Sequence, residues 1–405
     1  MAKRATSLPR RGVSRRTLLG ALTGGAVLIE AAACGEDNLG ERGTSSPEDE
    51  VEPAVAPAST EALIASPVPG YLDSSRWSGR SLTVASPGFG VYQDALTSAY
   101  FDAFAQATGA TVQQSVFAGA GSLRGQVESG EVTWDVVIVP TADVLPLARE
   151  ELLTPIDYNV VDRTVLFNEI ALQHGVGLAF FSTVIVYPKG SEIVPGGWAA
   201  FWDLDRFGTG RSLRRNPVGT LEFALIASGV SPEELYPLDI ERAFTSLDNI
   251  KAATLFYEDG KQPIEFVASG QVGLASGWNV RADLPAAGDV VSLQWNGGML
   301  SADSWIVPRG APNADVAMNF INFATRAIPS ANFSRLQPFG PVNRDAFELL
   351  SPERAERLPN APAHRAVQFV EGWNWWADNR EALTERFETW LLTEEEPVVG
   401  TPAAG

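Results

Sequence analysis

The sequence predicts an α/β fold built on a mainly parallel sheet. Two observations carry this. From residue 81 onward, short apolar runs rich in β-branched residues alternate with stretches of helical spacing. The chain also has the bulk: 405 residues, 45% of them hydrophobic, suffice for one large or two medium domains with real cores.

The first 34 residues stand apart from any fold. Lys3, Arg4, Arg10, Arg11, Arg15 and Arg16 make a basic head, and an apolar run follows from Leu18 to Ile29. That run is too short to span a membrane, and Ser14-Arg15-Arg16-Thr17-Leu18-Leu19 gives it a twin-arginine core, so residues 1–33 read as a secretory signal. It ends in Ala31-Ala32-Ala33-Cys34, and small residues before the chain's only cysteine resemble a lipobox. That resemblance implies cleavage before Cys34 and a lipid on its sulfur. Ala31 stands where leucine is usual, and an ordinary A-x-A cleavage leaving a free N-terminal thiol is the alternative. Residues 34–75 are acidic and rich in Pro, Ser, Thr and Ala, too poor in large apolar groups to offset chain entropy; a disordered tether is expected.

The folded body begins near Trp77. Ser81–Ala85 reads as a strand and Ser86–Gly90 as a turn. Gln93–Thr108 has helical spacing, with Leu96, Tyr100, Phe101 and Phe104 on one side and Gly109 as its stop. Thr111–Phe117 is a second strand. Gly119-Ala120-Gly121 is expected to be a loop before a helix at Leu123–Ser129; the third glycine, Gly125, falls one residue late for a dinucleotide loop. Trp134–Pro140 is a buried strand, and Thr141 and Asp143 follow at its carboxyl end, where ligands of parallel sheets sit. Ala179–Tyr187 is a further apolar strand. Arg211–Arg215 is expected to be a loop whose guanidinium groups either face solvent or suit a carboxylate or phosphate. In Gly297–Pro308 two glycines permit a reversal or hinge, Ser304–Pro308 is a buried strand, and Asp303 lies at its mouth as a ligand contact or a local cap. Leu349–Leu392 is helical in pattern, and 393–405 is expected to be a disordered tail.

A formal charge of −19 argues against nucleic-acid binding. One cysteine forbids an intrachain disulfide, and two histidines far apart in sequence exclude a three-histidine metal site. No G-x-S-x-G elbow or H-E-x-x-H motif points to hydrolysis.

The opening pattern of strand, aromatic helix ending in Thr108-Gly109, second strand, Gly-rich turn and Trp134-Asp135-Val136-Val137-Ile138-Val139-Pro140-Thr141-Ala142-Asp143-Val144 looks like that of a bacterial extracellular solute-binding protein, with the spermidine/putrescine-binding branch the nearest likeness. Gly197–Leu204 resembles that family's W-x-D-L segment, Val272–Asn279 the stretch carrying a ligand-stacking tryptophan, Gly297–Pro308 the second inter-lobe crossing, and Pro338–Asn343 a shortened G-x-P-x-N turn. The likeness runs over about residues 80–395 in consistent order.

The resemblance implies a two-lobe, type 2 periplasmic-binding-protein-like fold, with residues 76–185 and 300–345 in one lobe and 186–299 and 346–392 in the other. It implies an exported monomer, anchored through Cys34, that needs no cofactor or metal, traps a small polar solute as the lobes close, and hands it to the permease of an ABC transporter. It carries no enzyme activity with it. The implied ligand contacts are Asp303, Trp278, Thr141, Asp143, Ser86, Arg215 and Phe339. Three features depart from a diamine grip: Ser86-Pro87-Gly88 replaces the usual first-loop tryptophan, Ser301 stands where an aromatic is usual two residues before Asp303, and arginines stand where an acidic segment is usual. A solute with a cationic end near Asp303 and an anionic or polar end near Arg215 fits better. A ferric-ion or other anion receptor of the same fold is the alternative, then a sensory module or exported enzyme; the seven tyrosines include no adjacent pair of the kind that grips iron.

Overall fold

The computed structural model describes residues 61–393, apart from 89 and 209. The signal segment, Cys34, residues 34–60 of the expected tether and residues 394–405 lie outside the described residues.

Strands and helices alternate as the apolar spacing requires. β1 (Ser81–Ser86) leads through α1 (Val91–Leu96), a π turn at Thr97–Phe101 and α2 (Asp102–Thr108) to β2 (Thr111–Val116). Gly109 ends this helical stretch at φ 78°, a left-handed conformation glycine adopts without a Cβ penalty. α3 (Ala120–Ser129), β3 (Val136–Pro140) and α4 (Thr141–Arg149) follow, then β4 (Val176–Pro188). Next come α5 (Trp198–Trp202), β5 (Arg211–Arg214), α6 (Pro217–Ala227), α7 (Ile240–Asp248), β6 (Thr254–Tyr257), α8 (Gln262–Ala268) and β7 (Leu274–Trp278). The chain returns through β8 (Val291–Ile306), α9 (Ala314–Ala324) and α10 (Ala327–Leu336), and finishes with β9 (Phe369–Val370) and α11 (Trp373–Leu392). Among the described residues no helix is long and apolar enough to cross a membrane.

The strands form one mixed sheet in the order β2-β1-β3-β8-β4-β7-β5-β6, with β9 beside β8. Both flanks are parallel, as expected: β2-β1-β3 on one side, β7-β5-β6 on the other. The centre is antiparallel, because β4 and β8 are long and run through both halves. β4 is apolar along nearly its whole length and buried on both faces, as a central strand must be. Two large apolar cores lie toward the two ends of the sheet. Leu82, Phe104, Trp305 and Phe320 belong to one; Trp198, Leu213, Phe223 and Phe387 belong to the other.

Four expectations need correction. The two glycines of Gly297–Pro308 are not a turn before a strand. They lie inside β8, which starts six residues before Gly297. They form an irregularity there: Thr183 pairs with Met299 but Ile185 with Gln294, so β8 carries extra residues against β4. Gly297 takes φ 75°, and a Cβ there would meet Trp198 Cδ1 at 2.8 Å, so both backbone and packing require glycine. Second, the tether expected to reach residue 75 ends earlier. Val68 and Tyr71 are buried in the first core, the Tyr71 hydroxyl donates to Asn319 O at 2.7 Å, and Ile64 N donates to Asn332 Oδ1 at 2.8 Å. Apolar residues spaced too widely to look like an element still bury when a ready surface receives them. Third, residues 346–358 touch both parts rather than one: Ala346, Leu350 and Leu358 pack with Ala331 of α10, while Arg354 and Arg357 pair with Asp283. Fourth, Arg211–Arg215 is not a loop. Arg211–Arg214 is strand β5, and Arg211 is fully buried with its guanidinium donating to the backbone carbonyls of Phe201, Asp203, Gly208 and Gly210. Burial lowers its pKa to about 10, which still leaves it cationic at neutral pH.

Candidate ligand-binding site

Residues of one face, taken alternately from neighbouring strands, line a cavity where the two halves meet. Phe181 and Thr183 come from β4, Ser276 and Trp278 from β7, and Met299, Ser301 and Asp303 from β8. The spacing of two is the pleat of the sheet. Pro140 and Ala142 close one end, at the carboxyl end of β3 and the start of α4. Arg214 ends β5, Asn216 caps α6, and Val218 and Thr220 lie in the first residues of α6. Glu371, directly after β9, and Arg380 from α11 complete the wall. The cavity measures about 60 Å³, several times the roughly 10–15 Å³ that one water needs.

Two of the seven expected contacts line this cavity. Asp303 is 1% exposed, opposite Pro140 on β3 and Ala179 on β4. Trp278 is 4% exposed, and the Arg214 guanidinium lies 4.8 Å from the centre of its ring. Its other support is Gly260, where a Cβ would come within 2.5 Å of the indole. Trp278 is level with Thr183 and Met299, four residues along β8 from Asp303. That is about 13 Å of strand, so Asp303 and the Trp278–Arg214 pair mark two ends of one cavity.

The other five sit elsewhere. Asp143, in the first turn of α4, does not line the cavity but holds Arg380, which does: Nη1 donates to Oδ1 at 2.5 Å. The Thr141 side chain turns away, its hydroxyl 2.7 Å from that of Ser304. Ser86 donates to Gln93 Oε1 within the first half. Phe339 packs among Tyr92, Phe181 and Phe333, with Phe181 standing between it and the cavity. Arg215 lies past the end of β5 and pairs with Glu388 at 2.6 Å and Glu258 at 3.3 Å. Arg214, one position earlier, takes the cavity place expected of it. Adjacent residues of an extended chain face opposite ways, so a shift of one exchanges a site residue for an outward ion pair.

Residues 99–363 match the family model described as bacterial extracellular solute-binding protein. The chain belongs to that family. It is 32% identical over 320 residues to the γ-aminobutyric acid-binding protein of Pseudomonas aeruginosa PAO1, covering 77% of this chain and 91% of that one. It is 23% identical over 266 residues to the spermidine/putrescine-binding periplasmic protein of Escherichia coli K12, covering 62% and 76%. Among solved structures it superimposes on an ABC transporter substrate-binding protein from Bradyrhizobium japonicum USDA 110 with a TM-score of 0.73 at 33% identity, over 77% of this chain and 99% of that one. A solved γ-aminobutyrate receptor gives a TM-score of 0.72 at 33% identity, over 78% and 99%. As a member of this family the protein is the solute-binding component of an ABC transporter and works outside the cytoplasm. The relatives are binding proteins, not enzymes.

Sequence reasoning missed several residues of this solute-binding protein's cavity. Ser301 draws notice only as the place of an absent aromatic; it is buried and donates to Glu371 Oε2 at 2.7 Å. Burial pushes the Glu371 carboxyl above its usual range, with Arg380 acting against that. Behind the wall, Glu222 is fully buried. Its Oε1 accepts the Tyr236 hydroxyl at 2.7 Å and the Trp376 indole N–H at 2.6 Å; its Oε2 accepts Gly219 N–H at 2.9 Å. The Tyr236 oxygen in turn accepts Gly372 N–H at 2.9 Å. Glu222 therefore ties the Val218–Thr220 wall segment to the segment beside Glu371. Burial pushes its carboxyl up to about 7 despite the three donors. Nothing local in Glu222, Glu371 or Arg380 marks them for this place.

Proposed function

We propose that this solute-binding protein captures a small amino acid whose ammonium and distal carboxylate are separated by a short chain, of the γ-aminobutyrate class. The observation that carries the reading is the pair of opposite charges, Asp303 and Arg214, at the two ends of one cavity. Asp303 receives the ammonium through charge-assisted hydrogen bonds, Arg214 receives the carboxylate, and Trp278 covers the alkyl chain. The γ-aminobutyrate-binding relatives at 32–33% identity support the same class. A diamine fits less well. Its second ammonium, within about 4 Å of Arg214, meets a repulsion of about 4 kcal/mol at an effective dielectric of 20.

Titration calorimetry of the purified protein against γ-aminobutyrate and putrescine tests this. Binding of γ-aminobutyrate at least about a hundredfold tighter is expected, since 4 kcal/mol exceeds two factors of ten. Tighter binding of putrescine would return the protein to the polyamine class.

For delivery, the reading is that residues 1–33 direct twin-arginine export and that Cys34 becomes the lipidated N-terminus of the mature protein. Cys34→Ala is expected to move the protein from the membrane to the soluble fraction. An unmodified Cys34 in the intact mass of the mature protein would refute the anchor.

A further inference from the structure

Once Asp303 and Arg214 are assigned to the two ends of an amino acid, one cation at the cavity is left over. Arg380 reaches the wall from α11 rather than from the sheet. Its Nη1 is held by Asp143. Its Nε is buried and has no hydrogen-bond partner. A buried donor without an acceptor is unfavourable, and the residue that carries it lines the cavity.

The bond to Asp143 also fixes which end of the cavity the guanidinium occupies. Asp143 lies in the first turn of α4, which starts directly after Pro140, and Pro140 is the cross-strand partner of Asp303. Arg380 is therefore at the Asp303 end, and Arg214 at the Trp278 end. Glu371 lies within electrostatic reach of both Arg380 and Asp143, and its carboxyl takes the hydroxyl of Ser301, midway along β8 between Met299 and Asp303. The ammonium end of the ligand thus meets acidic groups and a guanidinium together.

We propose that Arg380 is a specificity-determining residue that binds a second carboxylate of the ligand, so that the preferred solute is an amino dicarboxylate with one carboxylate on the amine-bearing carbon. This rests on the amino-acid reading of the same cavity. The ammonium goes to Asp303, the neighbouring carboxylate to Arg380, and the distal carboxylate to Arg214. With Nη1 already held by Asp143, the guanidinium is oriented before the ligand arrives, which lowers the entropy lost on binding. A ligand with only the distal carboxylate leaves Nε unsatisfied. A second ammonium at this place would meet a cation.

L-glutamate and γ-aminobutyrate differ by that one carboxylate, so they are the probes. Both are titrated by calorimetry into the purified protein and into Arg380→Gln and Arg380→Lys. The unmodified protein is expected to bind L-glutamate about tenfold tighter than γ-aminobutyrate, the size of one charge-assisted hydrogen bond. Arg380→Gln is expected to lose about tenfold or more for L-glutamate and about threefold or less for γ-aminobutyrate. Arg380→Lys, which keeps the charge, is expected to lose less for L-glutamate than Arg380→Gln. A purely structural role would weaken both ligands alike. Melting of the unliganded variants shows that they fold; if Arg380→Gln does not, the selective loss in Arg380→Lys decides. Tighter binding of γ-aminobutyrate by the unmodified protein, or equal losses for both ligands, overturns the proposal and leaves the amino-acid reading standing. Binding of neither probe overturns both.

Discussion

Asp303→Asn is expected to weaken γ-aminobutyrate binding about ten- to hundredfold. Asparagine keeps the size of the side chain and one acceptor oxygen, so what is lost is the negative charge. A hydrogen bond to a charged partner contributes about 1.5–3 kcal/mol, and each 1.4 kcal/mol is a factor of ten. Asp303 is 1% exposed, so water does little to screen the loss. Calorimetric titration of both proteins at one pH and one salt concentration measures it. Butyrate, which lacks the ammonium, is the internal control: the substitution should leave its binding unchanged or improve it, because butyrate brings no ammonium to meet the charge that is removed. A loss of about twofold or less for γ-aminobutyrate would remove Asp303 from the ammonium contact.

Glu222→Gln is expected to flatten the pH dependence of stability. The Glu222 carboxyl titrates at about 7 in the folded protein against an ordinary value of 4.5, because burial penalises its charged form. Between these values the folded state holds a proton that the unfolded state has released. Unfolding therefore becomes easier as pH rises. The stability is fully present below about pH 4.5 and is lost by the time pH passes about 7, a loss on the order of 3 kcal/mol from this group. Glu371, raised by its own burial, adds to the loss in the same direction. Glutamine cannot titrate, so Glu222's share of the slope disappears while that of Glu371 stays. Glutamine also places an amide N–H₂ or a single oxygen where Glu222 accepts three donors, from Gly219, Tyr236 and Trp376, so the variant starts from a lower stability. The slope, not the absolute value, is the readout. Urea unfolding at several pH values between 4 and 8 supplies it, and equal slopes in the two proteins would show that Glu222 titrates normally.

Legibility of the fold followed local pattern. The run Val136–Pro140 is apolar and bounded by proline, and β3 lies there. Gly109 was legible as a helix stop because glycine takes the left-handed conformation that ends a helix without a Cβ penalty. Asp303 and Trp278 were legible because each ends or interrupts an apolar strand segment with a group that a buried strand does not need. Where pattern was weak, the reading failed. β5 has only four residues, two of them arginines, and the charge hid a strand whose Arg211 is satisfied by backbone carbonyls in the interior. Residues 61–75 carry their buried side chains, Val68 and Tyr71, among small and polar neighbours, so no period marks them.

By itself the sequence determined the alternation of strands and helices and the family, and it marked two groups, Asp303 and Trp278, that line the cavity, because periodicity and the choice of a costly buried side chain are written residue by residue. Only the tertiary structure decided which arginine faces the cavity, since a shift of one position in an extended segment turns a side chain to the other side. Only it brought Glu371 and Arg380, from the last quarter of the chain, to Asp303 and Asp143. Those pairings depend on how α11 packs against the sheet and α4, and packing is set by surfaces distant in sequence rather than by any local run.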